Sequence, residues 1–358
     1  MAASSAPTTP FTFSHTPQLP EILAELGCSL VVSTYQAGKV IVIRSDGERL
    51  VQLPRTFEEP MGLAVDGDRM AVATKHSLVL LANEPRLAAT YPRQPDTYDS
   101  LFVPRSVHHC GALAVHDMVF TEHGLVGVNT LFSCLFQLDP RYSFRPVWKP
   151  RFVSALAPED RCHLNGLALV DGAPRYVTAL GATDAPGGWR ANKERGGVLV
   201  DVASGEVILS GLAMPHSPRL YDGTLYALLS STGELIAVDV ARRQYEVVHR
   251  VDGFARGLAR CGDYLFVGTS KIRKQHTFGD LGLAGRRELF CGITLLHLPT
   301  GAFVADLRYQ RTCEEIYDVQ VLPQLSRPGL LGLHDDAYRG ALSMPEQVFW
   351  GREREPDD

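Results

Sequence analysis

Three histidines stand at the starts of repeated phrases in the sequence, and they are its strongest chemical signal. His116 begins HDMVF, His163 begins HLNGLAL and His216 begins HSPRLYDG. Neutral imidazole suits iron, copper, zinc or nickel, whereas oxygen ligands suit calcium or magnesium. We therefore predict that the three rings bind one transition-metal ion with open coordination positions, with Fe(II) favoured and Cu or Zn as alternatives.

Further polar residues fall at or beside the same phrase starts, and we predict that they surround the metal as catalytic groups. Arg256 would anchor an anionic group of the substrate. Tyr317 would supply a proton or a hydrogen bond. Asp117 and Asp318 would be ligands or would orient the imidazoles, with Asn165 close by.

Simpler interpretations compete with this site. A polar residue at the start of a strand can cap a neighbouring backbone N–H, although three histidines at matched positions argue against that reading. Cys162 precedes His163 and could be a thiol nucleophile, but adjacent strand residues point to opposite faces, which favours a buried structural cysteine. The sequence has no GxSxG elbow and no glycine-rich loop before a helix, which disfavours a common serine hydrolase or a nucleotide-binding fold.

The phrases belong to a repeat that must position these residues. Each copy has a small polar start, an apolar strand, a turn and a second apolar strand, as in PMGLAVDGDRMAVAT and HSPRLYDGTLYALLS. Six copies are visible, about 40 to 60 residues apart, which is the length of one four-stranded blade. The first strand of every blade lines the central channel of a propeller. The pattern predicts an all-β, six-bladed β-propeller.

The ends of the chain are predicted to close the ring. The last copy, YDVQVLPQ, lacks the sequence to finish a blade, and residues 29–54 supply three strands before the first copy. N-terminal strands would therefore complete the last blade and remove open sheet edges. We predict an N-terminal extension at 1–28 with a short helix over Pro20–Gly27, a propeller at 29–350 and a disordered tail at 351–358.

Composition excludes several classes of protein. The 358 residues carry a net charge of -5, so nucleic acid is not an expected partner. No apolar run is long enough to span a membrane, and the first residues lack a secretory signal, so we expect a cytoplasmic protein. Seven scattered cysteines without CxxC spacing predict neither disulfides nor a zinc ribbon.

Two stretches exceed what a blade requires. Residues 91–110 and 181–197 are rich in Pro, Gly and charge, and we predict that both are long loops. Trp189, Arg190, Asn192 and Lys193 of the second loop are predicted to cover the mouth of the site.

Several phrases, among them PEDRCHLNGLAL, MPHSPRLYDG and EIYDVQVLP, resemble a bacterial family of conserved hypothetical proteins, a propeller-type domain of unknown function. The resemblance runs from about Phe13 to Gly329 and implies the fold without a mechanism. A weaker resemblance is to the six-bladed gluconolactonase and strictosidine-synthase group, whose lactonases bind metal through Glu, Asn and Asp. Carotenoid oxygenases, which hold ferrous iron with four histidines, are the closer chemical analogy.

Three functions follow as hypotheses. The first is an Fe(II)- or Cu-dependent oxygenase or oxidoreductase that acts on a small molecule or peptide through His116, His163 and His216. The second keeps the metal as a Lewis acid in a lactonase-like hydrolase or isomerase. The third is a non-catalytic propeller that binds a peptide or protein through an exposed apolar face.

Overall fold

The protein is a six-bladed β-propeller, as the repeat predicts. The computed structural model describes residues 11–271, 283 and 288–351. Each blade contains four antiparallel strands, and two blades carry a fifth strand at the outer edge. Six repeats of one strand pattern have therefore formed six sheets around one axis.

The elements follow the chain in order. The first segment contains strand β1 (Phe13–His15), helix α1 (Leu19–Glu25), β2 (Cys28–Ser33), β3 (Lys39–Ser45) and β4 (Leu50–Thr56). Blade 1 contains β5 (Leu63–Asp66), β6 (Arg69–Ala73), β7 (Ser77–Asn83) and β8 (Ser100–His109). Helix α2 (Pro85–Ala89) lies between β7 and β8 in the chain. Blade 2 contains β9 (Val115–Thr121), β10 (Gly124–Asn129), β11 (Cys134–Gln137) and β12 (Arg145–Trp148).

The second half repeats the pattern. Blade 3 contains β13 (Leu164–Val170), β14 (Ala173–Ala179), β15 (Gly197–Asp201) and β16 (Val207–Leu212). Blade 4 contains β17 (Pro215–Tyr221), β18 (Thr224–Leu229), β19 (Glu234–Asp239) and β20 (Gln244–Arg250). Blade 5 contains β21 (Phe254–Cys261), β22 (Tyr264–Ser270), β23 (Cys291–His297) and β24 (Ala302–Tyr309). The chain continues with β25 (Asp318–Pro323), β26 (Pro328–Leu330), helix α3 (Ala337–Gly340), β27 (Ala341–Ser343) and β28 (Val348–Trp350).

Blade 6 closes the ring from both ends of the fold. β25 forms its innermost strand and pairs antiparallel with β2, which is followed outward by β3 and β4. This arrangement confirms the predicted closure. The predicted helix over Pro20–Gly27 is α1, shifted by one to two residues, and it packs on β2, β3 and β24 across the seam between blades 5 and 6.

One predicted loop is wrong in part. Residues 100–109 of the expected loop 91–110 form β8, the outer strand of blade 1, and only the residues before it are irregular. Leu101, Phe102 and Val103 are buried, because β8 is covered on its outer edge by the parallel strand β26. The prolines and polar residues around this apolar run concealed the strand.

The second predicted loop is present between β14 and β15, and it contains a short 3-10 helix, Gly188–Asn192. The predicted tail lies outside the described residues apart from residue 351, as do the first ten residues of the extension. Among the helices that the structure describes, none is long and apolar enough to cross a membrane. All seven cysteines are free thiols, and six of them are buried.

Glycines on alternate blades allow the inner strands to approach closely. Gly62, Gly166 and Gly257 lie near the start of blades 1, 3 and 5. A Cβ atom at Gly62 would lie 2.9 Å from the carbonyl oxygen of His116 in blade 2. Gly257 has a φ of +82°, and a Cβ there would lie 2.6 Å from the amide nitrogen of Val319 in blade 6. A larger residue would push neighbouring blades apart.

Polar side chains on the other three blades accept hydrogen bonds from backbone N–H groups of these glycine-containing strands. Asp117 Oδ2 accepts from the amide of Leu167 in blade 3 at 3.0 Å. Ser217 Oγ accepts from Gly257 in blade 5 at 3.0 Å. Asp318 similarly accepts from Leu63 in blade 1 at 2.9 Å. The inner strands are thus joined in pairs around the axis.

Candidate functional site

A cavity of about 360 Å³ lies at the axis, and every blade contributes a side chain to its wall. In blade order these residues are Met61, His116, His163, His216, Arg256 and Tyr317. Five of the eight residues predicted for the site therefore line one cavity. The volume of this cavity lies near the lower end of the range that is typical of small-molecule sites.

His116 is held in one tautomer by two acceptors. Its Nδ1 lies 2.9 Å from the carbonyl oxygen of Ala114 and 2.8 Å from Thr130 Oγ1. The Thr130 hydroxyl donates its proton to the carbonyl of Leu164 at 2.6 Å. Because that hydroxyl proton is already used, Nδ1 of His116 must be the donor, which leaves the lone pair on Nε2.

The same device recurs in blade 4. Nδ1 of His216 lies 3.0 Å from the carbonyl of Met214 and 2.8 Å from Ser230 Oγ, and the Ser230 hydroxyl donates to the carbonyl of Ala255 at 2.6 Å. Each hydroxyl follows its histidine by fourteen positions, at the end of the second strand of the blade. The lone pair of His216 is likewise on Nε2.

Both of these imidazoles are neutral. Burial holds the pKa of His116 well below its ordinary value, with His163 and Arg256 as further causes. Burial and then the charge of Arg256 lower the pKa of His216 in the same way. Each ring therefore retains a lone pair that can accept a proton or a hydrogen bond.

His163 is oriented by a carboxylate. Its Nδ1 lies 3.0 Å from both oxygens of Asp160, which also accepts the Nε1–H of Trp189 at 2.9 Å. The Trp189 ring packs on the imidazole with centroids 4.4 Å apart, and Arg190 lies 3.5 Å from Asp160. A carboxylate on Nδ1 fixes a histidine with Nε2 toward its substrate and stabilises the ring when it gains a proton.

His163 does not occupy the position that matches the other two histidines. The residues that pair with the end of the second strand are Val115 in blade 2, Leu164 in blade 3 and Pro215 in blade 4. The next residue is a histidine in blades 2 and 4, and it is Asn165 in blade 3. Asn165 Oδ1 accepts from Thr178 at 2.7 Å, and Asn165 is not part of the cavity wall that the described residues form. His163 reaches the wall because it precedes the strand with a φ of +51°.

Arg256 lies between the aromatic and acidic sides of the cavity. Its Nη2 donates to Nε2 of His216 at 3.2 Å, and its guanidinium carbon lies 3.9 Å from the centre of the Tyr317 ring. Nη1 is 3.5 Å from Glu315 Oε1. The predicted cation is thus present at the axis and is in contact with one of the predicted metal ligands.

The three histidines do not share one metal position in this arrangement. Within the described part of the chain, no three His, Cys, Asp or Glu side chains are grouped so that they could hold one ion. His116 and His163 meet edge to face with ring centres 4.8 Å apart. The Nε2 atom of His216, however, accepts a hydrogen bond from a guanidinium, and a second cation there would be repelled.

Asp117 and Asp318 lie in a different cluster, so their predicted place beside the imidazoles is wrong. Asp117 forms a buried ion pair with Arg219, with Nη1 and Oδ2 2.8 Å apart. Asp318 also lies beside the strand starts and bonds to backbone amides rather than facing the cavity. Asp117 follows the wall residue His116, and Asp318 follows the wall residue Tyr317. Because neighbouring residues on a strand point to opposite sides, both carboxylates point away from the cavity.

The loop between β14 and β15 supplies two of the four residues that were predicted to cover the site. Trp189 and Arg190 line the cavity, whereas Asn192 and Lys193 are not in the wall formed by described residues. Burial raises the pKa of Cys162 to about 12, so this thiol is an inert core residue rather than a nucleophile.

Sequence reasoning missed four residues that shape the site. Asp160 orients His163, while Phe254, Lys271 and Glu315 line the wall. Phe254 is the first residue of β21 and stands one position before Ala255, and Glu315 precedes Tyr317 by two residues, so both could have been found by extending each repeat backward. Asp160 lies in an irregular segment, and no repeat marks it.

The comparisons agree with the fold. A family model described as a domain of unknown function, DUF4915, matches residues 17–331. The chain belongs to the DUF4915 family. The family assignment confirms the resemblance found in the sequence and names no activity for this DUF4915 propeller.

No curated protein matches this DUF4915 chain. Among solved structures, it is similar to a chain in the crystal structure of a nidogen/laminin complex. The TM-score is 0.56 at 10% sequence identity, and the match covers 84% of this chain and 99% of the other. At that identity the DUF4915 chain and its structural neighbour share a fold only.

Proposed function

We propose that the axial cavity is the active site of a hydrolase for a small ester or lactone, with His163 as the general base. The observation that carries this proposal is the contact of Nδ1 of His163 with both oxygens of Asp160, at 3.0 Å, in the wall of a 360 Å³ cavity. This pair is the only orienting carboxylate we find on the three cavity histidines within the described residues.

Each group has a defined part in the reaction. Nε2 of His163 removes a proton from water as the water attacks the substrate carbonyl, and Asp160 stabilises the imidazolium that results. The proton then passes from Nε2 to the leaving alkoxide. Arg256 holds an anionic group of the substrate, and Trp189 and Phe254 contact its apolar part.

Turnover of a panel of lactones and small esters, followed by proton release, tests the base. We expect His163→Ala to lower the rate by about 100-fold or more, the usual contribution of a general base. His108→Ala is the matched control, because His108 lies on β8 at the outer edge of blade 1. Equal turnover in the wild type and His163→Ala would exclude this role, and a tightly bound protein partner without turnover would favour the non-catalytic hypothesis.

A metal-dependent oxygenase is the second candidate. All three imidazoles keep Nδ1 on a carboxylate or backbone carbonyl, which is the usual outer contact of ligating histidines. Fe(II) or Cu would supply dioxygen activation when bound, and Zn would supply Lewis-acid chemistry. The present contact between His216 and Arg256 does not fit such an ion.

Metal content separates the two candidates. Protein purified without a chelator or an affinity tag would be analysed by elemental mass spectrometry, beside His163→Ala. A stoichiometric metal that is lost in the variant would support the second candidate. A metal-free wild type that still turns over a lactone in the absence of oxygen would support the first.

A further inference from the structure

We propose that the cavity takes a small organic carboxylate with an apolar body, and that this carboxylate replaces Nε2 of His216 as the acceptor of Arg256. The inference rests on the proposed function, because it concerns the ligand of the same site. It assigns Nε2 of His216 as a hydrogen-bond acceptor of the site that is masked until the ligand binds.

The wall of the cavity is positively charged in an acidic protein. Arg190, Arg256 and Lys271 line it together with Glu315, and Asp160 beside the wall pairs with Arg190 at 3.5 Å, while the whole chain carries a charge of -5. Three cations therefore face two carboxylates. His116 and His216 add no charge that would change this balance, because both are neutral. Such a local field favours an anionic ligand.

Arg256 is held by weak contacts. Its partner His216 is a neutral acceptor at 3.2 Å, and the ion pair with Glu315 is 3.5 Å long, beyond the 2.7–3.2 Å of a direct hydrogen bond. The Tyr317 ring supports one face of the guanidinium and leaves its edge for hydrogen bonding. The contacts therefore preserve a planar fork that matches a carboxylate.

A ligand carboxylate is a stronger acceptor than a neutral imidazole. It can receive two parallel N–H groups from one guanidinium, and it adds the attraction of a full negative charge, whereas the present bond to His216 has one N–H group and one charged partner. Arg256 has only a small exposed fraction, 12%, so the exchange takes place in a shielded site where charge is effective. We expect the ligand to displace His216.

Displacement would free His216 without turning its ring. Met214 and Ser230 hold Nδ1 independently of Arg256, so Nε2 keeps its lone pair and its direction. Burial, the largest cause of the lowered pKa of His216, remains when the ligand binds, so the ring stays neutral. His216 then offers Nε2 as a hydrogen-bond acceptor only in the occupied site.

The size and composition of the wall define the rest of the ligand. Met61, Leu180, Met214, Phe254 and Trp189 give the cavity an apolar surface. Because the volume of about 360 Å³ is small for a ligand site, the body is a ring or a short chain rather than an extended molecule.

The test uses phenylacetate and its neutral amide, phenylacetamide, on the full chain. Binding would be measured by calorimetry, and the ring ¹⁵N signals of His216 by NMR. We expect phenylacetate to bind, to shift the Nε2 signal of His216 and to leave its Nδ1 signal in place. Arg256→Gln should weaken phenylacetate binding by about 30-fold or more, the effect of removing one partner of a shielded charged pair.

Two further variants serve as references. Arg256→Lys keeps the charge and loses the fork, so it should bind more weakly than the wild type even where Arg256→Gln is poorly folded. Arg242→Gln removes an exposed arginine paired with Asp239 on blade 4 and should bind like the wild type. Circular dichroism would establish that each variant is folded.

The source of the carboxylate is separated by a second pair of probes. Gly-Gly-Phe and its C-terminal amide present the same carboxylate on a peptide, so tighter binding of the free peptide acid than of phenylacetate would assign a peptide C-terminus. Equal binding of acids and amides would overturn the inference and leave the His163 proposal intact. Binding of no probe, or phenylacetate binding without a shift at Nε2 of His216, would also overturn it, whereas the lactone assay tests His163 separately.

Discussion

Two hydroxyl groups join the chemistry of the site to the assembly of the blades. Thr130 and Ser230 each accept the Nδ1–H of a histidine in their own blade and donate to a carbonyl in the next blade. A buried hydroxyl that donates once must accept at its other contact. The hydroxyls that join neighbouring blades therefore support the same tautomers of His116 and His216 that the carbonyls of Ala114 and Met214 fix.

Ser230→Ala tests this joint. We expect it to lower the free energy of unfolding by about 1–3 kcal/mol, the cost of leaving the Ala255 carbonyl without its donor. The tautomer of His216 should persist, because the carbonyl of Met214 still accepts from Nδ1. Urea unfolding and ring ¹⁵N shifts would measure the two effects, with Ser14→Ala on exposed β1 as control. A switch of tautomer would show that Ser230 alone fixes the ring.

At the scale of elements, helix α1 stabilises the seam where the ring closes. It contains a proline near its start and presents Leu19, Pro20 and Leu23 to the protein. Leu23 is fully buried in a cluster that includes residues of β2, β3 and β24. The helix therefore joins blade 5 to blade 6 from outside, beside the pairing of β25 with β2.

Leu23→Ala should destabilise the whole ring rather than the helix alone. Leucine-to-alanine changes in a core cost about 2–5 kcal/mol through lost burial and the cavity left behind. Glu25→Ala is the control, because Glu25 lies on the same helix and is exposed. Hydrogen exchange should show faster exchange in β2 and β24 of the leucine variant. Faster exchange confined to α1 would contradict a role in closure.

At the scale of the whole molecule, a buried charge cluster lies beside the axis. Asp117 pairs with Arg219, while burial and the charge of Asp117 raise the pKa of Asp318 to about 7. The folded state thus retains a proton on Asp318 at pH values where the unfolded chain has lost it. A raised pKa of an acid contributes stability that is fully present below the unfolded pKa and is lost as the pH rises toward 7.

Asp318→Asn should remove that part of the pH dependence. In the wild type we expect the free energy of unfolding to lose the contribution of Asp318 between about pH 4 and pH 7. The asparagine variant should show a flatter profile in the same range, measured by urea unfolding at each pH. Asp66→Asn, the same substitution at an exposed position on β5, should retain the wild-type slope. Parallel profiles in the wild type and Asp318→Asn would contradict a titrating Asp318.

The sequence predicted the fold well because the repeat is a local signal. Alternating apolar residues and Gly-containing turns mark each pair of inner strands, and the incomplete last copy required strands from the N-terminal side. β8 was missed because its Pro104 and polar residues resemble a loop, while the cover that β26 provides comes from a distant part of the chain.

The sequence by itself determined that six strand starts meet at one axis and that most of them bring a polar residue there, since the repeat spacing sets where each blade begins. Only the tertiary structure decided which of those residues meet. Asp117 and Asp318 lie one position after wall residues and bond to backbone groups, His163 enters the wall through a left-handed backbone, and Asp160 reaches it from an irregular segment. Side-chain direction depends on backbone angles and on contacts between blades, and neither is encoded by repeat spacing.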